Sequence, residues 1–287
     1  MRIAICQNKK GKEEIYRVLS RGFARHGDSF QLVENGRDAD LIRSCDAAFQ
    51  LGDTKNDNLL GKTCKQLRLP TFFIDKGYMR SENKRGRQRY LSVGLNGTKR
   101  FCHYFNHDSP DDRLKKLHLD IKPWRIKDKG YILFLGESDR GLVARDIDFD
   151  QWFKHTLRVI QPMTSRDVVL KPHPKQRHLP TGDYIREFRK AHLTTLLRCA
   201  YCVVAKTTNA TVTAAIEGVP VFTDDLRCAA YDIAERDINN INRPRRPRRK
   251  QWLANLAYAQ WTVDEIEDGT CWNHFKSRYD EWPPKPK

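Results

Sequence analysis

The 287-residue chain has no apolar run of 18 residues, so no helix of it is expected to span a bilayer. Its start, MRIAICQNKKGKEE, turns polar too soon to supply the apolar segment of an export leader. Together these absences predict a cytoplasmic protein. Acidic residues are scarce: 36 Asp and Glu face 53 Lys and Arg, a formal net charge of +17. So cationic a chain is expected to be drawn to polyanions, because neutralising phosphates releases condensed counterions. Charge alone leaves DNA, RNA and an anionic membrane face as partners, with a merely solubilising surface as the alternative.

Other absences bear on metals. Of eight cysteines, only Cys199 and Cys202 form a C-x-x-C, in an expected strand and with no second pair at zinc spacing. Core packing and reduced thiols are the reading. His103 and His107 stand four apart without the acidic partner of a metalloprotease helix. No D-x-D ends a strand, and Asp146-x-Asp148 falls in an expected loop, so the sequence requires no divalent metal. There is no internal repeat and no low-complexity tract beyond the Arg/Pro-rich stretch 242–250.

What is present is a βα series. RIAIC (2–6) reads as a strand, and Ile15, Val18, Leu19 and Phe23 recur at helical spacing after it. Apolar runs at 47–51 and 71–74 end in Gly52-Asp53 and Asp75-Lys76-Gly77. Short strands closed by Gly and Asp and separated by helix-length polar stretches predict a parallel sheet with helical crossovers. Residues 76–100 read as a basic loop followed by an outer strand. SPDDRLKKLHLDIKPW (109–124) reads as the crossing into a second domain, where YILFLG (131–136), a helix at 152–160, DVVLKPHP (167–174), YCVVA (201–205), a short helix at 209–217 and VPVFT (219–223) repeat the pattern. NRPRRPRRK (242–250) is a proline-punctuated linker, and QWLANLAYAQWTVDEI (251–266) returns to helical periodicity. The expected organisation is α/β: one domain over 1–120, a second over 121–241, and the basic linker with C-terminal helices over 242–287.

In open parallel sheets ligands bind beyond the carboxyl ends of the strands. Three such ends carry Gly136, Glu137, Ser138 and Arg140; Lys171 and His173; and Thr207, Thr208 and Asn209. Cations, hydroxyls and a helix N-terminus suit a diphosphate, with His173 held on a stiff turn by its flanking prolines. Against this stands the simpler reading that residues 207–209 only cap the helix. Asp75 is the first candidate for a general base and Asp53 the second, with helix capping or an arginine partner as alternatives. The cations Lys76, Arg80, Lys84, Arg85, Arg87 and Arg89, and in the linker Arg245, Arg246, Arg248 and Arg249, are candidates for a polyanion surface, with a solvated loop as the alternative reading of each run.

The order of strand, K-P-H-P, strand, Thr-rich turn and helix closed by G-V-P-V-F resembles the nucleotide-binding half of GT-B glycosyltransferases, especially capsule, sialic-acid and glycerol-phosphate transferases. That resemblance implies two facing Rossmann-like domains, C-terminal helices packing back on the first, and His173 at the donor phosphates. The family's ribose-holding carboxylate has no match at Thr213; Glu217, which adjoins Gly218, is the candidate in its place, with an ordinary helix-end carboxylate as the alternative reading. FFIDKGYMRSENKRGRQRYLSVGLNG, DIKPWR and LAYAQWTVDEIEDGTCW are similar to phage-encoded glycosyltransferases of hydroxymethylated pyrimidines in DNA. This second resemblance implies a nucleotide-sugar donor, a UDP-sugar first, a double-stranded DNA acceptor, and a place in the host cytoplasm. A capsule or lipid-linked glycan acceptor with a cytidine donor, and a nucleic-acid-binding module without donor chemistry, remain as alternatives.

Overall fold

The computed structural model describes residues 1–6, 12–33, 39–52, 63–80, 89–98, 108–126, 129–181 and 186–282. The chain divides into two compact units, 1–109 with 255–287 and 110–254.

In the first unit the strands are β1 (Arg2–Cys6), β2 (Ser29–Val33), β3 (Ala47–Leu51), β4 (Thr71–Lys76), β5 (Tyr90–Leu95) and β11 (Gln260–Thr262), ordered β11-β5-β4-β3-β1-β2. β1 to β4 pair in parallel and the last two antiparallel. Helices α1 (Glu13–Ala24), α2 (Ala39–Arg43) and α3 (63–66) belong to the crossovers. α1 turns Val18, Leu19 and Phe23 inward as their spacing predicts, with Tyr16 buried beside them and Ile15 half-buried. The expected outer strand is an inner one: every residue of β5 is buried and β11 covers its free edge.

The 251–266 stretch, expected as one helix, is α9 (Lys250–Tyr258), then β11, then α10 (Val263–Glu267). Thr262 stops the strand and starts α10 through a reciprocal capping box with Glu265, which competes with continued helix. The C-terminal helices pack back on this unit. α11 (Thr270–Lys276) sets Trp272 against Phe23, Phe49 and Phe72 with ring centroids 5.1, 5.7 and 5.9 Å apart. α1 meets α10 so closely that a Cβ on Gly22 would lie 2.1 Å from the Ile266 carbonyl oxygen. Beneath them the buried Asp28 accepts from Trp272 Nε1 at 2.6 Å and from Lys276 Nζ at 2.8 and 2.9 Å.

The second unit holds β6 (Tyr131–Leu135), β7 (Val168–Lys171), β8 (Arg186–Glu187), β9 (Ala200–Ala205) and β10 (Val221–Phe222), all parallel and ordered β10-β9-β6-β7-β8. After the short α4 (Asp112–Lys116) come α5 (Asp139–Arg145), α6 (Phe149–Ile160), α7 (Leu193–Cys199) and α8 (Ala210–Ile216). α6 buries Phe149, Phe153, Leu157 and Ile160 against Ile132, Phe134, Val204 and Phe222. Each such side chain contributes about 1.5–3 kcal/mol of transfer free energy. Of the two cysteines expected to pack in a strand, Cys202 lies wholly inside β9, where burial pushes its pKa far up, but Cys199 ends α7 and is exposed.

The division between units falls earlier than residue 120 and later than residue 241 because both connecting stretches dock on the second unit. Lys122 N donates to Ile216 O at 2.9 Å and Arg125 N to Gly218 O at 2.8 Å, where Gly218, at φ 76°, leaves no room for a side chain beside Pro123. The Arg/Pro stretch lies against the same strip. Trp124 Nε1 donates to Pro247 O at 2.7 Å, Arg246 Nε to Arg125 O at 3.0 Å, and the Arg249 guanidinium stacks 3.9 Å from the Trp124 ring while donating to Lys122 O.

Candidate functional site

The second sheet reverses direction between β6 and β9. The chain runs outward from β6 to β7 and β8, then returns to β9 on the other side of β6. Loops at such a switch point diverge and open a crevice. Here they are 136–138 after β6 and 206–209 after β9, and one side chain ties them together. Glu137, 5% exposed, accepts from Thr207 N at 2.7 Å and from Thr207 Oγ1 at 3.0 Å. Both of these Thr207 donors, expected to face a phosphate, are turned onto Glu137. A carboxylate at this point repels phosphate and accepts hydroxyls, so it suits the sugar or ribose part of a ligand.

Gly136 brings the loop after β7 against this junction. Its N–H donates to Lys171 O at 2.9 Å, and a Cβ there would lie 2.0 Å from Gln176 Oε1 and 2.9 Å from His173 N. His173 Nδ1 accepts from Lys175 N at 3.0 Å. A main-chain N–H can only donate, so Nδ1 is the acceptor and the neutral ring carries its proton on Nε2. Gln176, which the sequence reading missed, is fully buried and braces the turn, its Oε1 accepting from His173 N at 3.4 Å. Lys171 Nζ donates to Arg189 O at 2.7 Å; burial first, and the Arg189 charge second, lower its pKa.

The remaining donor candidates divide. Ser138 caps α5, accepting from Gly141 N at 3.1 Å, and Arg140 is exposed in its first turn. Thr208 Oγ1 accepts weakly from Ala210 N at 3.4 Å, while Asn209 at the N-cap of α8 makes no capping bond and its Oδ1 is buried without a partner. Glu217 stands at the opposite end of α8, roughly 10 Å away along the helix axis, with Arg125 Nη2 at 3.9 Å. The structure thus brings Gly136, Glu137, His173 and Thr207 together and leaves Glu217 outside the group.

A cavity of about 660 Å³ lies beside this junction in the second unit, between the 146–148 loop, α6, Lys206 and Arg227. Lys206 Nζ is held by both Asp224 carboxylate oxygens at 2.8 Å and stands 5.4 Å from the Trp152 ring. Arg227 grips Asp225 with Nε at 2.9 Å and Nη2 at 2.7 Å. Burial raises the Asp225 pKa, but the Arg227 hydrogen bonds outweigh it and hold it below the ordinary carboxylate value. Asp148 caps α6, accepting from Gln151 N at 2.9 Å. A smaller cavity of about 190 Å³ shares Trp152 and His155 with the larger one and has Val204, Ala205 and Phe222 in its wall. Asp224 and Asp225 have no functional role in the sequence reading; their position just past a parallel strand was the available signal.

In the first unit Asp75 is exposed at the end of β4, and its Oδ1 accepts from Lys76 N at 2.8 Å. The loop after it is fixed by a residue no motif pointed to. Gln260, wholly buried, accepts from Tyr78 N at 2.8 Å and Met79 N at 2.9 Å and donates to Met79 O at 3.1 Å. Lys76, Arg80 and Arg89 are exposed. Asp53, Lys84, Arg85, Arg87, Cys102, His103 and His107 lie outside the described residues. Of the linker arginines, Arg245 and Arg248 are exposed and Arg246 is half-buried. Arg249, 8% exposed and committed to Trp124 and Lys122, is a structural residue and not part of a polyanion surface. Among the described residues no helix is long and apolar enough to cross a membrane.

No family model and no curated protein matches the sequence. Solved structures do. The chain is similar to Thermosulfurimonas dismutans KpsC, beta Kdo 2,4 transferase, with a TM-score of 0.58 and 11% identity over 92% of this chain and 98% of that one. It is also similar to the beta Kdo 2,7 transferase of the same KpsC, with a TM-score of 0.51 and 14% identity over 96% and 100%. At these identities the likeness shows the fold: two Rossmann-like units of GT-B type.

Proposed function

We propose that the chain is a glycosyltransferase that binds a nucleotide-activated sugar at the β6–β9 junction and transfers the sugar to a hydroxymethylated pyrimidine in DNA. The observation that carries the donor half is the junction itself. An Nε2–H of His173 is a neutral donor for a leaving phosphate oxygen, and Glu137 beside it is an acceptor for sugar or ribose hydroxyls. Lys171, Ser138, Arg140, Thr208 and Asn209, at the same three strand ends, are the further candidate ligands for phosphate or hydroxyl groups. The UDP-sugar is the first choice of donor, and no step requires a metal. Asp75 is the candidate base for the acceptor hydroxyl, an exposed carboxylate at a strand end next to cationic Lys76. Asp53 stands second. The polyanion half is supported by the +17 charge and by the exposed Lys76, Arg80, Arg89, Arg245 and Arg248.

A second reading changes the acceptor to a capsule or lipid-linked glycan and the donor to a cytidine nucleotide sugar. It is favoured by the fold shared with two Kdo transferases. Incubation with hydroxymethylcytosine DNA and a panel of uridine and cytidine nucleotide sugars, followed by digestion to nucleosides and mass spectrometry, separates the two. The first reading expects a mass gain of one sugar on the modified nucleoside. No gain with any donor, together with transfer to a glycan, supports the second.

A further inference from the structure

Gln176 occupies the space that Gly136 leaves open, and only one end of its amide is bonded. Oε1 accepts from His173 N at 3.4 Å and lies 2.0 Å from the place of a Cβ on Gly136. Nε2 is buried without a partner among the described residues. A buried donor without an acceptor is destabilising. Methionine, close to glutamine in volume, would fill the same space without that cost, so filling alone does not account for an amide here. What the oxygen adds is an acceptor for the His173 main chain, and that main chain decides how the imidazole is presented. Gln176 N donates to His173 O at 2.9 Å, which closes the 173–176 turn, and Lys175 N donates to His173 Nδ1 at 3.0 Å within it. The second bond lasts only while the turn keeps its shape, and it is the bond that leaves the ring proton on Nε2. Two contacts hold the end of the turn: Arg189 Nη1 donates to Gln176 O at 2.8 Å, and both carboxylate oxygens of Asp139, in the first turn of α5, accept from Arg177 N at 3.1 and 3.0 Å. The Gln176 side chain is the anchor bonded to His173 itself.

We propose that Gln176 is a positioning residue, which fixes the His173 ring in its Nε2–H form and aims it at the donor phosphate. The aim at a phosphate rests on the donor reading given above; the fixing of the ring does not. Gln176 is wholly buried and acts through the turn, without contact to a ligand.

The test compares the full chain as wild type, Gln176→Met and Gln176→Glu. Nitrogen NMR of the neutral His173 ring, assigned by the signals missing from His173→Ala, reads the tautomer without any ligand, and hydrogen exchange of the Lys175 amide reads its bond to Nδ1. The wild type is expected to show the Nε2–H form alone. Gln176→Met is expected to show a mixture of both neutral forms and Lys175 exchange about tenfold faster, the worth of one hydrogen bond. Gln176→Glu keeps an oxygen at the same place and should follow the wild type. Thermal melts tell positioning from bulk stability: in Gln176→Met the lost bond and the removed orphan N–H about cancel, so the midpoint should hold while the tautomer changes. Calorimetric titration of UDP should then be about tenfold weaker in Gln176→Met and close to wild type in Gln176→Glu. The proposal is overturned if the wild-type ring carries its proton on Nδ1, if Gln176→Met keeps the wild-type tautomer and exchange, or if folded Gln176→Glu behaves as Gln176→Met. If UDP binds to none of the proteins, the wild type included, the donor reading fails, and the tautomer and exchange measurements still decide whether Gln176 fixes the ring.

Discussion

Replacing Gln260 by leucine removes the clamp on the loop that follows Asp75 while keeping side-chain volume. The three atoms released are Tyr78 N, Met79 N and Met79 O, paired at 2.8, 2.9 and 3.1 Å beside residues that are 7% and 3% exposed. A buried polar main-chain group left without a partner costs about 1–3 kcal/mol. Three of them, with some relief as the loop shifts toward water, give a loss of roughly 3–5 kcal/mol. Urea unfolding followed by tryptophan fluorescence measures it, since Trp261, Trp272 and Trp282 all lie in the first unit. Thr262→Ala calibrates the measurement in the same unit: it removes the α10 cap and is expected to cost about 1 kcal/mol. A Gln260→Leu loss no larger than that of Thr262→Ala would refute the reasoning, because it would mean that the 77–79 turn keeps its shape without the clamp.

Three further outcomes follow from the same geometry. Burial raises the Asp28 pKa, but hydrogen bonds from Lys276, the N-terminal ammonium and Trp272 outweigh it, so the folded value lies below the unfolded 3.8. The stabilisation is therefore present above that pH and is lost as pH falls through the folded value; thermal melts from pH 6 to pH 3 should drop steeply for the wild type and less for Asp28→Asn. Gly136→Ala must push Gln176 and the His173 main chain aside, and should lower stability by about 1–3 kcal/mol along with donor binding, read by calorimetric titration of a nucleoside diphosphate; an unchanged titration would contradict the tight approach of the two loops. Arg249→Ala should lower the unfolding midpoint while leaving the salt dependence of duplex DNA binding unchanged, whereas Arg245→Ala and Arg248→Ala should each reduce the salt slope by about 1 without touching stability.

Strand and helix positions near chemistry-rich strand ends were legible because a buried parallel strand is a short apolar run closed by Gly, Asp or Pro. YILFLG and YCVVA each became a strand within one residue of the expected span, whereas the strand in DVVLKPHP stops at Lys171, three residues before the expected end. The 251–266 segment was not legible, since Trp252, Leu253, Leu256 and Trp261 keep helical spacing even though the chain extends at Gln260–Thr262. Tertiary need decided it: Gln260 reaches the Tyr78–Met79 turn and β11 closes the edge of β5. Charge runs misled in the same way. NRPRRPRRK gives no sign that Arg249 is buried, because its stacking partner Trp124 lies far away in sequence. At the junction, the residue types were visible but not their pairing, and only the fold shows that Thr207 serves Glu137.

The account rests on donor phosphates meeting His173, and the most direct measurement is a calorimetric titration of UDP and CDP into the wild type, His173→Ala and His173→Gln. The account predicts binding by the wild type, a loss of at least tenfold in His173→Ala, and partial recovery in His173→Gln, whose amide restores an N–H donor. Equal affinity in all three proteins would contradict it.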